Sequence, residues 1–426
     1  LCGATFASSA WSADLLQTYS LALANDAVYA SARSAQTAGQ EKLVQGRARL
    51  LPAIGLSGSY NRVNSDSSPD YSNHGYTLSL RQPLFNVGNW EAYEQGKLLT
   101  TLADTQFAQA QQDLIVRTAQ AYFDILAAQD TLSFIAQNQA FISQQLEAAK
   151  RSFEVGTTTI TDTNEAQAAF DLAQAQQIAA ESDLEFKRAA LQQIIGDAPA
   201  TLAKLRPGVK LAPPQPSQIN LWVTSAEQQN YEVLRQQIAL EIAKRQIKLN
   251  RSGHYPTLDL VASRNHNNSN QSGPFGSGGS ANSNSIGVQW TIPLFSGFAI
   301  DSSVREAIAL EDKARNDLLF TQRTSAQAAR QSFVGVTNGL AQVRALEAAE
   351  KSSQSSLDSN KLGYEVGVRI NIDVLNAQQQ LFLTRRDLAK ARYDTLMNSL
   401  KLKAASGSLR EQDLAQLNQL LIETSQ

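Results

Sequence analysis

Hydrophobic and polar positions along the chain fall into two periods, and each period occurs once in each half. In the first half Ile54, Leu56 and Tyr60, then Tyr76, Leu78 and Leu80, alternate with Ser57, Ser59, Asn61, Thr77, Ser79 and Arg81. In the second half Leu258, Leu260 and Ala262 oppose Asp259 and Ser263. Further on, Ile286, Val288, Trp290, Ile292 and Leu294 oppose Gly287, Gln289 and Thr291. Alternation sends successive side chains to opposite faces, so these runs predict two pairs of strands, each with one apolar and one polar face. The stretches between paired strands, Asn64 to Asn73 and Asn267 to Asn284, are polar and turn-rich and are expected to be exposed hairpin loops.

Elsewhere the pattern is helical. Segments at about 14–49 and 221–252 end just before a proline, which pushes the preceding residue out of the helical region. After the second strand of each half comes a very long helical stretch, Asn89 to about Phe153 and Phe298 to about Tyr364. At ~1.5 Å per residue each spans about 100 Å, more than a soluble globular core requires. A seam spaced by fours and threes runs Ala121, Ile125, Ala128, Leu132, Ile135, Gln139, Ile142, Leu146, Ala149, Phe153, which predicts coiled-coil packing. The second stretch carries a weaker version, Val336, Gly339, Val343, Leu346. Each long helix is expected to stop at a Val-Gly turn (Gly156, Gly367). Each then restarts after an aspartate (Asp162, Asp373) and runs to about Ile195 and Ala405. Aspartate is a favoured helix N-cap, and both residues are expected to serve as one.

The chain is written twice. Residues 153–167, FEVGTTTITDTNEAQ, align without a gap to residues 364–378, YEVGVRINIDVLNAQ. Upstream, Gln82-Pro83-Leu84-Phe85 matches Ile292-Pro293-Leu294-Phe295, and Leu51-Pro52-Ala53-Ile54-Gly55-Leu56 matches Tyr255-Pro256-Thr257-Leu258-Asp259-Leu260. Three landmarks in the same order make a duplicated module rather than a solenoid.

Composition narrows the function classes. Lys and Arg number 37 against 39 Asp and Glu, so the basic excess of a nucleic-acid binder is absent. Only 18% of residues are charged and 43 are Gln, a composition that with Ala favours long helices with tight packing. The single cysteine, Cys2, excludes an internal disulfide and a cysteine zinc site. His74, His254 and His266 lie far apart in sequence, with no carboxylate at metal-ligand spacing, and the chain carries no Walker loop, GxSxG or HExxH. No metal, cofactor or enzymatic activity is expected. Residues 1–13 are small and uncharged and are expected to be a signal-peptide remnant or a flexible terminus; a lipidated Cys2 is the alternative.

Four strands with one apolar face cannot close a barrel, and open sheet edges are not tolerated in lipid. Bacterial barrels have at least eight strands; a dimer would give eight and a trimer twelve, which closes around a polar lumen. The aromatics Tyr60, Tyr76, Phe85, Trp90, Trp290, Phe295 and Phe298 suit the girdles of such a barrel. A soluble coiled-coil scaffold with two appended hairpins is the rival reading.

The duplicated plan of helix, Pro, hairpin, Pro-Leu-Phe, long helix and Val-Gly turn resembles the TolC family of trimeric outer-membrane export channels. The segments ADLLQTYSLALANDA, ARLLPAIGLSGSYN and GSLREQDLAQLN place it closer to the TolC type than to the lipid-anchored efflux type. The resemblance implies a mixed α and β membrane protein, a duplicated protomer with four β-strands and long coiled-coil helices. Such a protomer trimerises into a 12-stranded β-barrel joined to a 12-helix α-barrel. Residues 51–86 and 255–296 would be the barrel hairpins in the Gram-negative outer membrane. Residues 14–50, 87–196, 221–254 and 297–406 would be a periplasmic helical tunnel, with 197–220 and 407–426 as a belt around it.

The function implied is a passive exit duct for type I protein secretion, efflux or both, with a dedicated multidrug efflux factor as the alternative. Its partners would be a periplasmic adaptor, an inner-membrane ABC or proton-driven transporter, the exported protein or small molecule, and outer-membrane lipid. The resemblance also implies site residues. Asp373, one turn from Asn376, would line the entrance constriction. Family members often carry a second acid where this chain has Asn376, so the ring would be singly acidic. Tyr364 and Arg369 would latch to Asp162 and Thr161. The adaptor would meet the turns at Gly156, Thr157, Gly367 and Val368.

Overall fold

The computed structural model describes residues 13–65, 68–157, 159–197, 201–273 and 276–422; residues 1–12, with Cys2, and Thr158 lie outside them. The elements run α1 (Leu15–Asn25), α2 (Ala27–Ala48), β1 (Ala53–Ser65), β2 (Ser68–Phe85), α3 (Val87–Glu154) and α4 (Ile160–Ile195). The chain continues through β3 (Lys204–Leu205), α5 (Ile219–Gln229), α6 (Tyr231–Arg251), β4 (Thr257–Gly273) and β5 (Gly276–Thr291). It ends with α7 (Ala299–Glu365), α8 (Asn371–Ala405), α9 (Glu411–Asn418) and β6 (Leu421–Ile422). Two compact units result, one from residues 33–107 and 234–321 and the other from the remainder, and α3 and α7 contribute to both.

The first unit holds an antiparallel sheet in the order β1-β2-β4-β5. The strands run well into the stretches expected to be loops: Arg62 pairs with Ser72, and Asn268 with Ser280. The backbone ladder supplies those hydrogen bonds whatever the side chains are, so loss of apolar alternation does not end the strands. Cross-strand neighbours Ile54, Leu80, Ala262 and Ile286 form one row on the apolar face. In the next row toward the hairpin tips Leu56 and Leu78 are followed by Arg264 and Asn284, while Leu260 and Val288 lie one row toward the base. The apolar band therefore crosses the strands obliquely. A displacement of about four residues over three strand spacings, at ~3.3 Å per residue and ~4.8 Å per spacing, corresponds to a tilt of roughly 40°. Between Asn73 and Leu78 of β2 the apolar face is also the more open one, with His74, Tyr76 and Leu78 exposed and Asn73, Gly75 and Thr77 half-buried.

In the second unit the predicted seam of α3 is largely buried. Ala121, Ile125, Ala128, Ile135, Ile142, Leu146 and Ala149 are inside; Leu132 and Gln139 are half-buried, and Phe153 is exposed. Helix α8 packs on α3 through Tyr393, whose hydroxyl donates to Asp130 at 2.7 Å. It meets α7 through Arg385–Glu350 and Arg392–Glu347, and at Gly339, where an added Cβ would collide with Thr395.

The helical segments expected at 14–49 and 221–252 are each two helices, broken at Asp26 and Asn230. Both residues take extended backbone angles and cap the next helix, Asp26 accepting from the Tyr29 amide at 2.6 Å and Asn230 from the Glu232 amide at 2.9 Å. A short side-chain acceptor here replaces the broken helix ladder. The segment before α5 and the C-terminal region meet in a two-stranded pairing of β3 with β6. Among the described residues no helix is long and apolar enough to cross a membrane.

Candidate functional site

The two turns that end α3 and α7 share one geometry. The amide of Thr157 donates to the Ser152 carbonyl and that of Gly156 to Phe153; Val368 and Gly367 bond in the same way to Gly363 and Tyr364. This paired closure needs a left-handed residue, and Gly156 (φ 77°) and Gly367 (φ 79°) supply it without the clash a Cβ would bring. Val155, Val366, Val368 and Ile370 are left exposed around the turns.

Beyond each turn the returning helix starts earlier than the aspartates suggest. Thr159 is the N-cap of α4, and Asp162 is its third residue. The Asp162 carboxylate accepts from the Thr159 amide and hydroxyl, each at 3.0 Å, while the Thr159 hydroxyl accepts from the Asp162 amide at 3.4 Å. That reciprocal arrangement satisfies two terminal donors where a lone aspartate cap would satisfy one. In the second copy Ile370 occupies the cap position with no side-chain bond, and Asp373 lies three residues on. Asp373 instead pairs with Arg369 of its own turn at 3.6 Å. Asn376, one turn further, is exposed.

Tyr364 packs on the cluster of Leu357, Val374 and Leu381. The aliphatic stem of Arg369 lies over Gly363, where a Cβ would stand 2.7 Å from its Cγ. Thr161 is exposed on the first turn of α4. Within one protomer, then, Asp162 is engaged by Thr159 and Arg369 by Asp373. Among the described residues no group of three or more His, Cys, Asp or Glu is placed to hold a metal.

Sequence reasoning missed two features of this unit. On α4, Ala168, Leu172, Ala175, Ala179, Ser182, Phe186 and Ala189 are all exposed at alternating steps of four and three. On α7, Val334, Asn338, Ala341, Ala345, Ala348, Ser352, Ser355, Ser359 and Leu362 repeat that spacing and are also exposed. Both stripes repeat at the spacing of a coiled-coil seam, on faces other than those buried within the protomer. Their spacing is visible in the sequence, but alanine and serine give it little hydrophobic contrast.

A family model described as outer membrane efflux protein matches residues 18–197 and 222–408, one match in each half of the duplication. The chain belongs to this family. It is 34% identical over 416 residues to the outer membrane protein TolC of Vibrio cholerae, spanning 97% of this chain and 95% of that protein. It is 31% identical over 424 residues to the proteases secretion protein PrtF of Dickeya chrysanthemi, spanning 96% and 91%. The fold is that of the Campylobacter jejuni CmeC outer membrane channel, which superposes with a TM-score of 0.80 at 17% identity over 99% of this chain and 95% of that one. This member of the outer membrane efflux protein family is an outer-membrane protein that extends into the periplasm. Its relatives are efflux and secretion proteins of that membrane, not enzymes.

Proposed function

We propose that the chain is the passive exit duct of a secretion and efflux assembly and works as a homotrimer. The observation that carries this reading is the four-stranded sheet, whose apolar band crosses tilted strands and whose opposite face is polar. Three copies give the twelve strands a closed barrel with a polar lumen requires. The exposed stripes of α4 and α7 support closure as well, since α4 of one protomer can pack on α7 of the next around a ring. Small residues on both seams permit the close approach.

The similarity to a protease secretion protein favours protein export through a type I pathway, with efflux as a second duty of the same duct. A periplasmic adaptor would dock on the apolar turns around Gly156, Thr157, Gly367 and Val368. An inner-membrane transporter would supply the energy. At the entrance, Asp373 from three protomers forms a singly acidic ring that attracts cations, with Asn376 one turn beyond it. The Arg369–Asp373 pair is exposed enough to contribute under ~1 kcal/mol, so Arg369 can exchange Asp373 for Asp162 at little cost. Tyr364 and Thr161 would complete that latch.

The test is cysteine crosslinking. With Cys2 replaced by Ser, Ala175→Cys and Ala348→Cys lie about equally far from their turns, on α4 and α7. Oxidation should link the chain into covalent trimers, and those trimers should carry stepwise current in a planar bilayer. Dimers, or trimers that do not conduct, would refute the reading.

A further inference from the structure

On the sheet's apolar face, aromatic and basic residues gather beyond the band toward the hairpin tips. On β1 Tyr60 and Arg62 come after Leu56 and Gly58, on β2 Tyr76 and His74 follow Leu78, and on β4 Arg264 and His266 follow Ala262, with Asn284 and Asn282 opposite them on β5. They share that face because directly opposed residues point the same way: Tyr60 faces His74, Tyr76 faces His266, and Leu78 faces Arg264. The basic positions step toward the base from β1 to β4 as the band does, so they form a collar parallel to its edge.

The collar is held in place locally. The His266 ring stacks on Tyr76 at 5.1 Å, and its Nδ1 lies 2.7 Å from Oδ1 of Asn282. Asn284 stands beside Arg264. Arg62, His74 and Arg264 are exposed. Arg62 and Arg264 enter no ion pair among the described residues, whereas Arg81, on the opposite face, is held by Asp259 at 2.7 Å. Asp70, nearer the tip of β2, is the acidic side chain on this face among the described residues.

We propose that this collar binds the phosphorylated headgroups of the outer leaflet's lipids, with Arg62 and Arg264 as the principal contacts and His74 and His266 beside them. The proposal rests on the barrel reading, since only there does the apolar face meet lipid. At the edge of the hydrocarbon a guanidinium costs little, unlike at the bilayer midplane. Its planar fork bonds two phosphate oxygens at once, and the imidazole N–H groups beside it can donate to the same phosphate. Tyr60 and Tyr76 supply rings whose apolar bodies and polar tips suit the same boundary.

The experiment uses the full chain reconstituted in vesicles of phosphatidylcholine alone or mixed with phosphorylated lipid A, followed by native mass spectrometry of the extracted oligomer. Wild-type oligomers should retain lipid A. The double variant Arg62→Gln/Arg264→Gln should retain about twenty-five-fold less, at roughly fivefold per arginine near an anionic surface. Arg81→Gln, on the polar face, should retain it normally. Equal retention by wild type and the double variant would overturn the proposal while leaving the barrel intact. Wild type that fails to insert even into phosphatidylcholine would overturn the barrel reading and the collar with it.

Discussion

The apolar band of the sheet and the exposed seams of α4 and α7 both leave carbon surface uncovered in the protomer, yet they are built from different residues. The band presents Ile54, Leu56, Ile286 and Trp290, each at least two-thirds exposed. The seams present mostly alanine and serine, such as Ala175, Ala179 and Ser182 on α4 and Ala345, Ala348 and Ser352 on α7. Lipid conforms to any outline, so large side chains add transfer free energy at about 25 cal/mol per Å² without a penalty for fit. A neighbouring helix has a fixed outline and must come within about 8–10 Å, so small side chains are needed. The chain uses the same device inside a protomer, where a Cβ on Gly96 would collide with the Lys42 carbonyl of α2. Residue size thus tells a surface meant for lipid from one meant for another helix.

The band should be the easier surface to break with charge. Leu80→Arg places a guanidinium inside the band, one row deeper than the edge residue Leu78, at about 2–4 kcal/mol per protomer near the midplane. Repeated in each copy of a trimer, that should abolish insertion into vesicles, measured by flotation. Leu80→Phe should insert normally, because lipid tolerates the change of shape. An inserted Leu80→Arg protein would mean that this face does not meet lipid.

The seams should respond to size instead. Ala345→Leu adds bulk where a helix must approach, and overpacking of this kind costs about 1–3 kcal/mol per interface. The oligomer should fall apart at a lower temperature on detergent gels while the helical circular dichroism of the protomer is unchanged. Ala345→Ser should leave the oligomer as it was. If leucine and serine behave alike, the α7 seam is solvent-facing.

The strands were legible because alternation is a strong signal; their far ends were not, because the polar hairpin arms are held by backbone pairing alone. The seam of α3 could be read from Ile125, Ile135, Ile142 and Leu146, whereas those of α4 and α7 hide in alanine and serine. At the turns, the duplicated Val-Gly motif located both sites. It did not reveal that Thr159 would take the cap from Asp162, since that depends on which of two neighbouring acceptors closes a reciprocal bond. The break at Asp26 was hidden for another reason: its partner, Arg117, lies on α3, far along the sequence.

Acid offers the smallest effect and separates both surfaces from the interior, since neither band nor seams are built from titratable side chains. Asp26 is 3% exposed and accepts two bonds from Arg117, at 3.0 and 3.1 Å, besides that from the Tyr29 amide. Burial pushes its carboxyl up, but the Arg117 hydrogen bonds, the Tyr29 amide and the Arg117 charge outweigh that, and the net shift is below the ordinary carboxylate value. A depressed folded value means that the stabilisation is present above the unfolded value of about 3.9 and is lost as pH falls through the folded one. The second copy performs the same capping without charge: Asn230 accepts from the Glu232 amide and donates to the Ala405 carbonyl, both at 2.9 Å. Asp26→Asn should therefore keep the break between α1 and α2 but lose the ionic part of the Arg117 contact. The expected loss is about 1–2 kcal/mol at neutral pH, less than a fully buried pair because the arginine side chain is partly exposed. Denaturant unfolding of the detergent-solubilised chain should show the variant weaker than wild type at pH 7. The two should converge as the pH is lowered below the unfolded carboxylate value, with the exposed band and seams unaffected throughout. A constant gap between them at every pH would mean that Arg117 holds Asp26 by shape alone.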